Sequence, residues 1–448
     1  MIEKNRSKKN RIRKGLGQKL WKEAKNIIPG GNMFLSKKSE MFLPDLWPSY
    51  FKSAKGCLVK DLDDRSYYDM TMSIGTNILG YSNPSVNKAV INAVRQSNMS
   101  TFNAREEVLL AKKLIKMHKW ARGVKFARTG GEANALSLRI ARSYCKKTNV
   151  AVCGYHGWHD WYLSANLNKQ DNLDQHLLKG LSAIGVPKEL KNTVFPFEYS
   201  DYKKFLYIVK NKKIGIVKME VSRSYDADYH FLKFVRKECK KRKIILIFDE
   251  CTSGFRQTFG GIHKKYKIIP DIAIFGKSLG NGFAISAVIG KKNVMKSSIG
   301  SFTSSTFWSE RVGYVAALET LSQMEKLKSW KKISELGIYF RKRLKEIAKK
   351  NNIAIEIKGL IAIPNFSIKG DKNNIYKTFI TQEMLKKGFI FNNAVYISIV
   401  HNKKIFEKFF KILNNIFKII NKNKTTKNIK KLLEGKECIS GFKRLNLR

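Results

Sequence analysis

Short apolar runs, most of them closed by a reactive side chain, set the strongest limit on how this chain can fold. The runs are Val150–Cys153, Ile214–Met219, Ile244–Phe248, Ile272–Phe275 and Ala287–Ile289. They are mostly apolar rather than alternating, as in strands covered on both faces, and helical patterns lie between them. That succession predicts α/β units around a mostly parallel sheet. Tyr155 and His156, Glu220, Asp249 and Lys277 follow the first four runs. Ligands of open α/β sheets bind beyond the carboxyl ends of the strands, so these residues are expected to converge.

The runs define a large domain at residues 61–310. Residues 1–60 read as an N-terminal arm, with a short helix around Lys19–Ile27, the turn Pro29-Gly30-Gly31 and an irregular stretch through Pro48. Beyond residue 310 the period changes. Leu327, Trp330, Ile333, Leu336, Phe340, Leu344 and Ile347 recur at helical spacing and predict one long amphipathic helix. Strand-like Ile353–Ile357, Ile361–Phe366 and Val395–Val400 follow, with helices near Ile375–Lys387 and over Lys404–Asn421. Residues 311–448 are therefore expected to form a smaller α+β C-terminal domain. Its basic tail from Lys422 is expected to pack loosely.

Composition excludes some functions. The chain has 87 Lys+Arg against 35 Asp+Glu, a formal net charge of +52. Such a balance suits a nucleic acid or an anionic surface. The lysines, however, are spread over helix faces and loops together with many Asn and Ile, as a codon bias would leave them. No cluster with interleaved aromatics stands out, so no nucleic acid partner is expected. Cys57, Cys145, Cys153, Cys239, Cys251 and Cys438 show no CxxC pair and no zinc spacing, and fit reduced packing positions. Met1–Lys19 is basic without the apolar segment of a signal peptide, and no apolar run approaches the roughly 20 residues of a membrane helix. A cytoplasmic protein with no membrane span is expected.

Two residues carry the chemistry. Lys277 stands between an apolar run and the turn Gly280-Asn281-Gly282, and Asp249 ends the run before it. A lysine and an aspartate at the ends of adjacent strands are what a pyridoxal phosphate site requires. The lysine forms a Schiff base with the aldehyde, and the aspartate keeps the pyridine nitrogen protonated, so that the ring accepts electrons. Thr129-Gly130-Gly131-Glu132 is a capping box; it is either an ordinary capped helix start or, since its glycines leave N–H groups at the positive end of the helix, a place for a phosphate. Gly154-Tyr155-His156-Gly157-Trp158-His159 offers rings that could stack on a flat group. Neither histidine has a third ligand in zinc-like spacing, so no metal is expected. Ser304-Ser305-Thr306 precedes a helix over Val312–Leu321 and caps it or binds phosphate through its hydroxyls.

Matching segments then run through nearly the whole length: Ile28-Pro29-Gly30-Gly31, Asn77-Ile78-Leu79-Gly80-Tyr81, Thr129–Asn134, Tyr155-His156-Gly157, Phe248-Asp249-Glu250, Gly254-Phe255-Arg256, Gly260-Gly261, Pro270-Asp271 and Gly276-Lys277. By these the chain resembles the class III pyridoxal-phosphate-dependent aminotransferases, in particular the glutamate-1-semialdehyde aminomutase type. The resemblance implies a fold type I transferase: a large domain with a mostly parallel sheet plus a smaller α+β C-terminal domain. It implies pyridoxal 5'-phosphate as cofactor, Lys277 as the Schiff-base lysine and Asp249 as the partner of the pyridine nitrogen. Gly130 and Gly131 match the phosphate-binding amides, and Tyr155 the aromatic on one ring face. Cys251 stands where the family has valine on the other face. Thr306 matches a threonine that reaches the phosphate of the neighbouring subunit, which implies a homodimer with shared sites. Glu220 matches a glutamate near the cofactor.

The departures lie on the substrate side. Lys37 is the nearest equivalent of an arginine that holds the aminomutase substrate's carboxylate, and the two are not interchangeable there. Glu-Pro-Val becomes Glu220-Val221-Ser222-Arg223, and Gly-Asn-Pro becomes Trp308-Ser309-Glu310-Arg311. These variants resemble a branch associated with cell-surface carbohydrate biosynthesis. The expected activity is transfer of an amino group from a small-molecule donor to a carbonyl acceptor. The alternatives are the aminomutase reaction of tetrapyrrole synthesis, against which Lys37 speaks, and a basic nucleic-acid-binding protein.

Overall fold

The computed structural model describes residues 11–223 and 225–442. The chain divides into two compact units: Gly75–Ser334, and the remainder on both sides of it. The dividing points therefore lie at 74/75 and 334/335, where the sequence expectation has 60/61 and 310/311.

The strands in chain order are β1 (Phe51–Lys55), β2 (Leu58–Asp61), β3 (Ser66–Asp69), β4 (Gly123–Ala127), β5 (Val150–Cys153), β6 (Val194–Pro196), β7 (Ile216–Glu220), β8 (Ile245–Asp249), β9 (Ile272–Phe275), β10 (Ser286–Gly290), β11 (Ile355–Lys358), β12 (Asn365–Ile368) and β13 (Phe389–Ile390). In the Gly75–Ser334 unit seven strands form one sheet in the order β4-β10-β9-β8-β7-β5-β6. Neighbours from β9 through β6 run parallel, and β10 runs against both β4 and β9. The interior strands β5, β7, β8, β9 and β10 are buried along their whole length. This explains why their sequences read as largely apolar runs, with Lys218 of β7 as a break. The edge strands β4 and β6 lack such runs; their part-exposed residues, such as Lys125, hid them in the sequence.

Helix Gly130–Cys145 covers one face of this sheet. Ala133, Leu136 and Ile140 pack into one cluster with Val152, Ile216, Ile247, Ile274 and Val288. Its start is fixed by the expected capping box: Glu132 N donates to Thr129 Oγ1 at 3.2 Å, and Thr129 N to Glu132 Oε2 at 2.7 Å. The helix Arg311–Leu327 packs against Pro84–Gln96 and Arg105–Met117 inside the same unit.

The other unit joins the two ends of the chain. β13 pairs in parallel with β3, completing the sheet β1-β2-β3-β13, and β11 and β12 form an antiparallel pair. The end of the expected arm, past the irregular stretch through Pro48, thus forms strands β1 and β2. The expected strand over 395–400 does not form. Val395 and Ile397 donate to the carbonyls of Pro364 and Ala362, while Tyr396 donates to Met70, so bonding is split between two sides. The tail is also better packed than expected: Ile429 is fully buried, and Cys438 N donates to Thr378 Oγ1 at 2.9 Å. A phenylalanine cluster forms the core of this unit, with Phe340 between the rings of Phe406, Phe409 and Phe410 at 4.8–5.6 Å. Phe340→Ala should lower stability by about 3–5 kcal/mol, read as a lower urea midpoint, because rings fixed on one long helix cannot close the cavity.

Candidate active site

The polar residues that follow the strands meet at the carboxyl edge of the sheet. Glu220 and Asp249 are register partners at the ends of β7 and β8, and Lys277 follows β9. Asp249 is buried. His156 Nδ1 donates to its Oδ2 at 2.9 Å, and Cys251 N to its Oδ1 at 3.1 Å. Burial alone pushes such a carboxyl up; here the hydrogen bond and charge of His156, with the charge of Lys218, outweigh it and hold Asp249 well below the usual range.

Lys218 is itself fully buried on β7. Its Nζ donates to Ser137 Oγ at 2.9 Å and lies 5.8 Å from the centre of the Trp161 ring. Burial pushes it down to about 8, with Asp249 acting in the opposite direction. His156 was legible only as a ring in a motif, and Lys218 only as a break in an apolar run. Neither could be joined to Asp249 without knowing which strands are neighbours.

Lys277 has φ +43°, the left-handed region that a residue with a side chain seldom occupies. Two attachments hold it there. Ser278 Oγ donates to Gly254 O at 3.0 Å, and Asn281 is bound to the Asn77–Gly80 turn in both directions, donating to Gly80 O and accepting from Leu79 N. Lys277 Nζ donates to Thr252 Oγ1 at 2.8 Å. Burial, followed by the charges of Arg223 and Arg256, pushes the amine down to about 7. A strand-end lysine in that state alternates between base and acid near neutral pH.

The motif Asp249-Glu250 divides its labour. Glu250 does not face the cluster around Lys277; it accepts from His263 Nδ1 at 2.6 Å and from His263 N at 3.1 Å. Gly261 must be glycine because a Cβ there would lie 2.4 Å from His263 Nδ1 and 2.7 Å from Glu250 Oε1. Arg256 is buried and donates to Thr252 O and Gly75 O, fixing the backbone next to Thr252.

Gly130 and Gly131 open their helix one turn ahead of its first internal bond, from Ala133 N to Thr129 O. A Cβ at Gly131 would lie 3.0 Å from His159 Nε2, one at Gly130 3.3 Å from Cys251 Sγ, and one at Gly157 3.3 Å from the Cα of Gly131. These glycines form a cradle of bare backbone that side chains would fill, and it suits a phosphate at a helix N-terminus. Cys251 joins the cluster from the strand side, its thiol pushed up by burial. Tyr155 is part-buried, its N–H donating to Glu220 Oε2 at 3.0 Å. Arg223 lies 5.5 Å over the Tyr155 ring and donates to Glu220 Oε1 at 3.1 Å. A bare glycine cradle, a buried ionised carboxylate and a depressed amine together fit pyridoxal phosphate. Thr306 stands outside this cluster: it is exposed at the start of the short turn Thr306–Ser309.

A family model described as Aminotransferase class-III matches residues 45–417. The chain is 30% identical over 374 residues to 3-aminobutyryl-CoA aminotransferase of Cloacimonas acidaminovorans, covering 81% of this chain and 86% of that one. It is 29% identical to glutamate-1-semialdehyde 2,1-aminomutase of Wigglesworthia glossinidia brevipalpis, over 92% of this chain and 100% of the relative. The FumI protein of Sphingopyxis sp. MTA144, solved in its PLP internal aldimine form, shares the fold with a TM-score of 0.82 at 21% identity, covering 91% of this chain and 97% of that one. With its mostly parallel α/β sheet of fold type I and a match over most of its length, the chain belongs to the class III aminotransferases, a family of pyridoxal-phosphate-dependent enzymes.

Proposed function

We propose that this chain is an aminotransferase moving an amino group from a small-molecule donor to a carbonyl acceptor, with Lys277 as the lysine that bonds the cofactor. The observation that carries the reading is the pairing of a depressed amine and a buried ionised carboxylate at the ends of neighbouring parallel strands. When bound, pyridoxal phosphate supplies a carbonyl that captures amines and a ring that takes up the electron pair left when a carbon loses its proton. The residues of the chain supply the rest. Lys277 Nζ, once free of the cofactor, takes and returns the proton, and the Thr252 hydroxyl lies within hydrogen-bond reach of that free amine. Asp249 keeps a fixed negative charge for the pyridine nitrogen, and His156 orients that carboxylate. Gly130 and Gly131 offer N–H groups to the phosphate, with Tyr155 and Cys251 on the two sides of the ring.

Transfer between two molecules is favoured over the aminomutase reaction because Lys37 stands where that enzyme type has an arginine. The resemblance of Tyr155–Trp161 and Ser305–Arg311 to a carbohydrate branch makes a keto sugar of cell-surface carbohydrate synthesis the proposed acceptor. Likeness to an aminomutase over 92% of the chain favours the second reading, amino transfer within one semialdehyde. Mass spectrometry of products from paired donors and acceptors separates the two. Among the described residues no helix is long and apolar enough to cross a membrane. The working assembly is a homodimer with shared sites. Ile299, Phe302 and Phe307, near Thr306 in the sequence, are 81%, 84% and 64% exposed, and large exposed apolar side chains suit burial against a second copy.

In the apoprotein, Lys277 should react with trinitrobenzenesulfonate ahead of the surface lysines. Its rate should rise with pH and level off above about 7, because only the neutral amine attacks; peptide mapping at each pH reads this. The purified protein should be yellow, and borohydride should leave the pyridoxyl group on Lys277; a label on any other lysine refutes the assignment. Lys277→Ala should abolish transamination. Thr306→Ala should weaken cofactor binding several-fold, on the order of one charge-assisted hydrogen bond. It should also promote dissociation on dilution of the apoprotein, followed by analytical ultracentrifugation. A fully active monomer would show that the site is not shared.

A further inference from the structure

Strand β7 reads Ile216-Val217-Lys218-Met219-Glu220 and is buried along its whole length, so an ammonium stands inside the sheet. Register pairs Lys218 with Val152 of β5 and Ile247 of β8. Ile247 and Asp249 lie two apart on β8 and so share a face, the one that the helix Gly130–Cys145 covers. Lys218 shares it too, because its Nζ donates to Ser137 Oγ of that helix at 2.9 Å. The Ser137 hydroxyl spends its proton on Asn134 O, at 2.8 Å, which leaves its lone pairs to the ammonium. The Trp161 ring, 5.8 Å from Nζ, stacks on the ring of His156, and His156 Nδ1 donates to Asp249 Oδ2. Ammonium and carboxylate therefore belong to one buried group of side chains. The bonded acceptor of the ammonium is neutral, and the charge of Asp249 answers it across space. A methionine would fill the same volume without the cost of burying a charge, so packing alone does not account for Lys218.

We propose that Lys218 is a positioning residue of the amino-transfer reaction, a fixed cation that offsets part of the charge of Asp249 and so weakens the hold of the site on the proton of the cofactor's ring nitrogen. This rests on the aminotransferase reading and deepens it. A protonated ring takes up an electron pair more readily, so Asp249 and Lys218 together, rather than the carboxylate alone, set how strong an acceptor the site makes. Like charges repel most where water is excluded, and a cation bound at Asp249 gains less with Lys218 charged than without it.

Pyridoxine 5'-phosphate has the ring nitrogen and phosphate of the cofactor but no aldehyde, so it binds the apoprotein without bonding Lys277 and serves as the probe. Calorimetric titration at pH 7 reads its affinity; burial pushes Lys218 down only to about 8, so the parent carries the charge there. Lys218→Met should bind the probe roughly 10-fold more tightly, the order of one buried charge seen through an effective dielectric of about 20. Ser137→Ala takes the acceptor from Nζ and makes the charged amine harder to keep, so its gain should be smaller and of the same sign. The probe's analogue with carbon in place of the ring nitrogen should gain nothing in either variant. A variant that is merely damaged loses affinity for both ligands. Unchanged or weaker binding of pyridoxine 5'-phosphate in Lys218→Met, or an equal gain for the carbon analogue, overturns the proposal. If Lys218→Met does not fold, Ser137→Ala is judged by the same two outcomes. Borohydride labelling of the parent with pyridoxal phosphate tells the two readings apart. With the label on Lys277, failure touches Lys218 alone; without it, the aminotransferase reading falls as well.

Discussion

A carboxylate buried at the end of β8 must be compensated, and much of the surrounding structure follows from how Asp249 is compensated. Taking an ion out of water costs several kcal/mol even after relaxation. Here a histidine from the loop after β5, a backbone amide and a buried lysine on β7 share the task. The three partners come from different segments, so the ends of β5, β7 and β8 are held at one level by electrostatics as well as by the ladder. Lys218 pays for its own burial in part through Ser137 on the covering helix and the face of Trp161. The outcome is a fixed negative charge that persists to low pH, available to a cationic ring nitrogen.

A second constraint acts on Lys277. A residue with a side chain in the left-handed region is under strain, and the chain on either side must hold it there. The neighbouring contacts do so without touching Nζ: the Ser278 hydroxyl binds the loop after β8, and Asn281 locks onto the Asn77–Gly80 turn. The amine donates to the Thr252 hydroxyl, in a setting where burial and two guanidinium charges weaken its hold on a proton. The same loop after β8 is stiffened from behind by Glu250 and His263, a pair fully inside the unit.

Electrostatics in the site differ from those of the chain as a whole. The formal charge of +52 comes from lysines and arginines spread along the chain, and solvated charges are screened within roughly 8 Å at physiological salt. Inside the site, positive charge is placed singly: Lys218 beside Asp249, Arg256 beside Thr252, Arg223 beside Glu220. Each is bound to a specific acceptor, so what reaches the reacting amine is a local field set by geometry. Global composition predicts none of this.

By itself the sequence determined the strand-and-helix succession of residues 150–290, the capped helix at Gly130 and the residues that follow the strands. Burial on both faces makes an interior parallel strand largely apolar, and the chain at its end is rich in polar residues and glycine, so both are written locally. The edge strands β4 and β6 escaped because exposed edges tolerate polar residues. The short β13 escaped because its partner, β3, lies more than three hundred residues earlier in the chain. Only the tertiary structure decided that Val395–Val400 is no strand and that the tail around Ile429 and Cys438 is packed. Only it showed that His156 and Lys218 are partners of Asp249 and that Arg223 pairs with Glu220 over Tyr155. Pairings of this kind depend on which strands lie side by side and on how deeply a charge is buried, and neither quantity is a property of any short stretch of residues.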